Sequence, residues 1–126
     1  DANWRKGRWQ GYQGQDFEAV VDLKEVKEIK LINSTFLQDI KSWIFFPANV
    51  TFFASSDGVN YAKIFESKSL LPDDSYDIKV QEFKTKPQNL KARYIKVVAT
   101  TYGKLPIWHI SAGNDSWMFI DEIEIL

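Results

Sequence analysis

The segment LPIWHISAGNDSW, residues 105–117, holds the side chains best suited to chemistry in this sequence. It contains the only histidine of the chain and two of its five tryptophans, among a proline, a glycine and an Asn-Asp pair that favour turns. A flat aromatic ring beside amide and charged hydrogen-bonding groups could bind a sugar, because a pyranose ring has an apolar face and a rim of hydroxyls. We therefore take five residues as candidate sugar contacts: Tyr102, Trp108, His109, Asn114 and Trp117. The alternative is that Trp108, His109 and Trp117 pack in the core beneath a long loop.

The groups that catalysis would require are scarce. His109 has no evident acid or nucleophile as a partner, and the chain has no cysteine. Asp121 and Glu122 are neighbours on a predicted strand, so their side chains should point to opposite faces and cannot converge on one bond. The sequence therefore favours a binding or structural role over catalysis.

Aromatic residues make up 15% of the chain, and many lie outside the predicted strands. Four of them fall on strands and are predicted to lie in the core: Phe17, Phe52, Tyr94 and Phe119. For the loop tryptophans Trp9 and Trp43 we favour packing over the end of the core. Trp108 fits that interpretation and a ligand-facing one equally well.

Length and charge narrow the possible partners. The chain of 126 residues fits a single domain with a real hydrophobic core. Its 16 basic and 17 acidic residues are spread without a long run of either sign, which argues against nucleic acid as a partner. Membrane binding is disfavoured too, because the sequence has neither a basic rim nor a clear set of apolar projections.

Strand patterns dominate the remainder of the chain. Alternating or β-branched segments predict strands at 16–23, 27–37, 50–65, 75–85, 92–102 and 117–126, with loops at about 4–15, 38–42, 67–75, 86–91 and 103–116. The segment 50–65 is predicted to be a hairpin turning at Asp57-Gly58. In the strand 92–102, Ile95, Val97 and Ala99 share one face. In the last strand, Phe119, Asp121 and Ile123 are predicted on one face and Met118, Ile120 and Glu122 on the other. This spacing is typical of a β-sandwich or barrel.

The order of these segments resembles the coagulation factor 5/8 type C, or discoidin, domain family, which includes carbohydrate-binding module family 32. The matching segments are WQGYQGQDFEAVVDL (9–23), WIFFPANVTFFASSDGVNY (43–61), ARYIKVVA (92–99) and WMFIDEIEI (117–125). Within this family the chain is most similar to the C-terminal accessory module of bacterial family 20 β-N-acetylhexosaminidases, often called chitobiases. That narrower resemblance depends on W-x-GY-x-G-x-D, on FLQD (36–39) and on P-x-WH followed by W-x-FIDEI.

The resemblance implies an all-β, jelly-roll β-sandwich with galactose-binding-domain-like topology. Residues 1–126 would form one discoidin-like domain whose extreme N-terminal segment lies upstream of Asp1. Such modules are non-catalytic parts of secreted, periplasmic or cell-surface enzymes, and their partners are a glycan and their own catalytic domain. We expect a monomer that holds a hydrolase near glycans with terminal galactose or N-acetylhexosamine. The alternative is a structural module that packs against the catalytic domain and binds no sugar.

The resemblance also implies a structural calcium ion. Glu122 matches the C-terminal glutamate that often ligates calcium in this family, and calcium takes about six to eight oxygen ligands. The family's Asp-Gly segment before the first tryptophan would lie upstream of this sequence. Asp1 and Asn3 are therefore the remaining candidates for that part of the site.

Overall fold

The computed structural model of the chain describes residues 9–68 and 78–126. These residues form eight β-strands and one short 3-10 helix, Ile40–Ser42. The strands are β1 (Gln10–Gln13), β2 (Phe17–Ile29), β3 (Ile32–Gln38), β4 (Asn49–Ser55), β5 (Ala62–Lys68), β6 (Lys79–Lys84), β7 (Leu90–Thr100) and β8 (Trp117–Ile125). In the described ranges, no helix has the length and apolar character needed to cross a membrane.

The strands form two antiparallel sheets with the orders β1-β8-β3-β6 and β2-β7-β4-β5. The predicted all-β, jelly-roll β-sandwich is therefore confirmed. Because neighbouring strands run in opposite directions, the connections 14–16, 39–48 and 101–116 all leave the sheets at the same end. We call this the loop end.

The core lies between the two sheets and follows the period of two expected of strands. Ile95, Val97 and Ala99 of β7 are fully buried, as the sequence predicted. They pack with inward residues of β4, among them Val50 and Phe52. Burial of these faces is the main source of stability, since the described chain has no disulfide.

The alternation predicted for β8 is wrong beyond Ile120. The pairing of β3 with β8 shifts between Ser34, which lies opposite Ile123, and Phe36, which lies opposite Ile120. Such a bulge inserts an extra residue and reverses the side-chain parity that follows it. Ile123 therefore packs against the same core cluster as Ile120 instead of lying on the opposite face.

Two further predictions need correction. Of the four aromatic residues predicted in the core, Phe52 is fully buried and Phe17 is half-buried against the same core cluster, whereas Tyr94 and Phe119 are half-buried outside that cluster. Phe119 lies on the outer face of its sheet, beside β1, which occupies part of the first predicted loop and pairs with β8. An unpaired β8 edge would expose backbone hydrogen-bonding groups, so β1 completes this sheet.

The hairpin predicted between β4 and β5 is present. Its turn contains Gly58 at a φ of 79°, a conformation that favours glycine. The Asp57 carboxylate accepts hydrogen bonds from the backbone N–H groups of Val59 and Asn60, each at 2.8 Å. These bonds stabilise the charged form and hold the pKa of Asp57 well below its ordinary value.

Candidate functional site at the loop end

The connection 101–116 is a closed lobe whose two ends are tied together by backbone hydrogen bonds. Leu105 N donates to Asn114 O at 2.8 Å, and Gly113 N donates to Leu105 O at 3.1 Å. Below them Ser116 N donates to Gly103 O at 3.0 Å. The base of the lobe is thus a short ladder, and residues 106–112 form its tip.

The tip is folded by its own hydrogen bonds. His109 N donates to Pro106 O at 2.9 Å, and Ala112 N donates to His109 O at 3.0 Å. The side-chain amide of Asn114 donates to Ser111 O at 2.9 Å. Turn residues that the sequence places here therefore satisfy the backbone locally, which gives the lobe a defined shape.

His109 lies beneath the tip and not on its surface, since it is only 4% exposed. Its Nε2 lies 2.8 Å from Ile40 O, and Ser111 N donates to its Nδ1 at 2.9 Å. A ring that accepts at Nδ1 and faces a carbonyl at Nε2 is the neutral tautomer with its proton on Nε2. His109 was predicted as a sugar contact, but its geometry is that of a brace between the lobe and the 3-10 helix.

An aromatic cluster supports the lobe from below. Phe45 is buried, and its ring centroid lies 4.6 Å from that of Tyr102 and 6.4 Å from that of Trp108. Ile40 and Leu105 complete this second core cluster. Tyr102, also predicted as a sugar contact, is half-buried, and its burial raises the pKa of the phenol.

Trp108 is the aromatic candidate that reaches solvent at the tip, with 42% of its surface exposed. Its ring rests against Phe45 and lies 6.1 Å from the ring of His109. A large ring held by packing on one side keeps its position when a ligand approaches. Both interpretations of Trp108 therefore hold in part, because one portion packs on the cluster and the rest is available for contact.

Polar groups flank the lobe on the side of β1. Lys104 Nζ lies 2.7 Å from the Asp115 carboxylate, and the side-chain amide of Gln13 donates to Asp115 O at 3.2 Å. Gly14, at a φ of 65°, passes so close that an added Cβ would lie 2.9 Å from the Asp115 carboxylate. Gln13 and Lys104 were missed in the sequence, where the only available signal was their position beside predicted turns.

The tryptophans Trp43 and Trp117 lie at the base of the loop end. Trp43 packs against the second core cluster, in agreement with the end-packing interpretation. Trp117 begins β8, donates from its N–H to Trp43 O at 2.8 Å and is half-buried. Its ring lies edge-on to Phe119 at 6.0 Å, on the outer face of the sheet. The two tryptophans predicted as sugar contacts therefore lie in different places: Trp108 at the tip of the lobe, on Phe45, and Trp117 on the sheet beside Phe119.

The apolar character of the tip differs from the sequence expectation. Ile107 and Ile110 flank Trp108 and are 96% and 93% exposed. The sequence was expected to lack apolar projections, and that expectation is wrong. Turn geometry at residues 106–112 turns these two side chains outward, which strand and helix periodicities do not reveal.

The predicted calcium ligand Glu122 is exposed on β8, next to the bulge. Within residues 9–68 and 78–126, no three His, Asp, Glu or Cys side chains come together in a way that could hold a metal ion. Asp1 and Asn3, the other predicted candidates, lie outside the described residues. A calcium site involving Glu122 stays a prediction.

The sequence and the structure both match known proteins. A family model described as the F5/8 type C domain matches residues 1–123. No curated protein sequence matches the chain.

Several solved structures are similar to this chain. CpGH89CBM32-6, produced by Clostridium perfringens, is 14% identical, with a TM-score of 0.57 over 92% of this chain and 75% of that one. The CBM32 of AlyQ in complex with 4,5-unsaturated mannuronic acid is 13% identical, with a TM-score of 0.57 over 94% and 76%. The C-terminal domain of a chitobiase from Bacteroides fragilis is 20% identical, with a TM-score of 0.47, and this chain spans 65% of it. The first two likenesses support the β-sandwich fold.

Proposed function

Because the chain belongs to the F5/8 type C domain family, we propose that it is a non-catalytic carbohydrate-binding module that holds a tethered glycoside hydrolase near its glycan. The proposed sugar is a terminal galactose or N-acetylhexosamine, and the proposed parent enzyme is a β-N-acetylhexosaminidase. Such a protein would act outside the cell, in the periplasm or on the cell surface. The sequence motifs W-x-GY-x-G-x-D, FLQD (36–39) and P-x-WH followed by W-x-FIDEI, which resemble those of chitobiase modules, support the choice of parent enzyme.

The observation that carries the proposal is the placement of Trp108. Its ring is 42% exposed, rests on the buried Phe45 and projects from a lobe that is closed by hydrogen bonds. A sugar stacking on this ring would meet a surface that needs no rearrangement. Such preorganisation lowers the entropic cost of binding a sugar.

Polar groups near the lobe support the same function. Asn114 and Asp115 are exposed at the base of the lobe, and Lys104 is held against the Asp115 carboxylate at 2.7 Å. Amide, carboxylate and ammonium groups together can donate to and accept from the hydroxyl rim of a pyranose. These groups lie on the same loop as Trp108 and support the proposal of a polar rim beside its aromatic face.

The module of AlyQ, which has the same fold, was solved in complex with an unsaturated mannuronic acid. That structure supports the proposal that this fold accepts a sugar here as well. A monosaccharide of about fifteen heavy atoms, at roughly −0.3 kcal/mol per atom, would bind with about −4.5 kcal/mol, or a Kd on the order of a millimolar. Weak binding suffices, because a tethered module raises the local concentration of the hydrolase at its substrate.

The first experiment is an NMR titration of the chain with galactose, N-acetylgalactosamine and N-acetylglucosamine into the millimolar range. Saturable amide and indole shifts within 102–117 are expected with at least one sugar. Trp108→Ala should weaken that binding at least about tenfold while lowering stability by less than the ~3–5 kcal/mol typical of a buried tryptophan. Ile110→Ala is the matched control, since it removes an exposed apolar side chain from the same tip. The absence of shifts with all three sugars would contradict the proposal.

A second function is favoured by Ile107 and Ile110. Their nearly complete exposure beside Trp108 makes an apolar tip that could pack against the catalytic domain of the same protein. In that case the module would be structural, and the tip would become protected when the two domains are joined. The iodide-quenched fluorescence that Trp108→Phe removes reports on Trp108. Measured without sugar, this signal should persist in the full-length enzyme if the tip binds sugar and be lost if the tip packs against the catalytic domain.

A further inference from the structure

A groove away from the loop end begins between the edge strand β5 and the end of the edge strand β6. It continues along the β6–β7 connection to the β2–β3 turn at Lys30. Its larger hollow has a volume of about 320 Å³ and lies between Ile64 and Phe65 on one side and Lys84 and Lys86 on the other. A second hollow of about 230 Å³ adjoins it, and Gln88 lines both. The larger hollow is of the size that small ligands occupy, about 300 Å³ or more.

The floor of the groove is apolar and fixed. Ile64 and Phe65 are half-buried and pack against the main core. The ring of Phe65 stacks on that of the fully buried Phe52, with centroids 4.9 Å apart. Because packing sets the position of the floor, a flat ring could rest on it without reordering these side chains.

The rim of the groove is cationic. Lys84 and Lys86 line the larger hollow, and Lys30 lines the smaller one. Among residues 9–68 and 78–126, none of these three ammonium groups forms an ion pair, and no carboxylate lines either hollow. The nearby Glu82 is held instead by Asn33, whose amide donates to it at 2.9 Å. The charged residues that line the two hollows are therefore all lysines.

We propose that this groove is a second binding site, for an oligosaccharide that carries carboxylates on successive sugar rings. One ring would rest on Ile64 and Phe65 with its carboxylate near Lys84 and Lys86, and the next would place its carboxylate near Lys30. The apolar floor favours a sugar ring over an inorganic anion, which has no apolar face. The two adjoining hollows favour a chain of rings over a single one.

This site is independent of the proposed site at Trp108, because the groove lies away from the loop end. Tetragalacturonate is a suitable probe, titrated into the chain at low ionic strength and followed by NMR and calorimetry. We expect shifts at Ile64, Phe65 and 84–88, and unchanged binding in Trp108→Ala. The double variant Lys84→Gln/Lys86→Gln should bind at least about tenfold more weakly, since hydrogen bonds to charged groups are the stronger kind.

The matched control is Lys41→Gln/Lys91→Gln, which changes the net charge equally at two exposed lysines outside the groove. Equal weakening in both double variants would overturn the proposal, because binding would then follow net charge alone. Equally tight binding of inorganic phosphate or of oligo-glutamate at the same residues would also overturn it. Weaker binding of the methyl-esterified tetragalacturonate is expected, because esterification removes the carboxylates.

Discussion

The imidazole of His109 ties the last long loop to the 3-10 helix, because its Nε2 lies 2.8 Å from the carbonyl oxygen of Ile40. The contact joins residues far apart in sequence and is buried. Phe45 packs against the same imidazole, with ring centroids 6.2 Å apart. The position of Trp108, the next residue in the chain, therefore depends on this brace.

Removal of the brace should loosen the lobe without unfolding the sandwich. His109→Ala leaves Ser111 N without its partner, at a cost of about 1–3 kcal/mol, and Ile40 O keeps only the hydrogen bond from Trp43 N. We expect a lower free energy of unfolding in urea and faster hydrogen exchange confined to 102–116. Ser111→Ala is the control, because its backbone N–H can still donate to the imidazole in position 109. Exchange that stays slow in His109→Ala would contradict the bracing role.

Substitutions at Gly14 and Gly113 separate two effects of an added side chain, the strain of a positive φ and the steric clash with a neighbour. Both have positive φ, 65° and 90°, but an added Cβ meets the Asp115 carboxylate at Gly14 and nothing within 4 Å at Gly113. Gly113→Ala should therefore cost only the left-handed conformation, about 1–2 kcal/mol. Gly14→Ala should cost more, because Asp115 must also move.

The measurement is the free energy of unfolding of both variants, together with the NMR shifts of Lys104 and Asp115. We expect the ion-pair shifts to change only in Gly14→Ala. Equal costs in the two variants would mean that the close approach of Gly14 to Asp115 contributes nothing.

The sandwich was predictable because strand periodicity is a local property. In β7 the predicted burial of Ile95, Val97 and Ala99, in alternation with less buried neighbours, was correct residue by residue. In β8 the same reasoning failed at the bulge, because the register shift is set by pairing with β3, which a single strand does not encode. β1 was missed for the same reason, since a segment of only four residues is recognisable as a strand only through its pairing with β8.

The sequence indicated which residue types make up the candidate site, but it did not indicate how they are arranged in space. Concentrated aromatic and turn residues correctly marked 105–117 as an unusual segment. Which rings face solvent depends on contacts from distant segments, such as Ile40 with His109 and Phe45 with Trp108. The side chain of Gln13 in β1 donates to Asp115 O just before β8, and no local pattern indicates that contact between residues so far apart in sequence.

The exposed tip should contribute little to stability. Ile107→Ser/Ile110→Ser changes two side chains that are more than 90% exposed, so the free energy of unfolding should change by less than about 0.5 kcal/mol per site. Leu105→Ala is the contrasting variant, because Leu105 is 3% exposed in the second core cluster and its truncation should cost about 2–5 kcal/mol. Urea unfolding followed by tryptophan fluorescence measures both. A large loss in the double variant would mean that the tip packs on the sandwich in solution.

The ionised carboxylate of Asp22 makes the stability of the fold depend on pH in the acid range. Its carboxylate binds the Arg93 guanidinium through two contacts, at 2.9 and 3.2 Å, and accepts from Lys24 N at 2.8 Å. The hydrogen bond from Arg93, followed by that from Lys24, lowers the pKa of Asp22 from 3.8 to about 2. Because the folded chain holds the proton more weakly than the unfolded chain, this contribution is complete above about pH 4 and is lost as the pH falls toward 2.

Asp22→Asn tests this contribution. The variant should be less stable than the unmodified chain at neutral pH, and the difference should shrink as the pH falls through the window from about 4 to 2. Urea unfolding at several pH values measures the difference in free energy of unfolding between the two proteins. The titration of the other carboxylates affects both proteins equally and therefore cancels from this difference. Glu25→Gln is the control, since Glu25 is exposed on the same irregular segment of β2 and should follow the unmodified chain at every pH. A constant difference between Asp22→Asn and the unmodified chain down to pH 2 would mean that the ionised carboxylate adds nothing to stability, and that the variant acts only through the shape of the turn at Lys24.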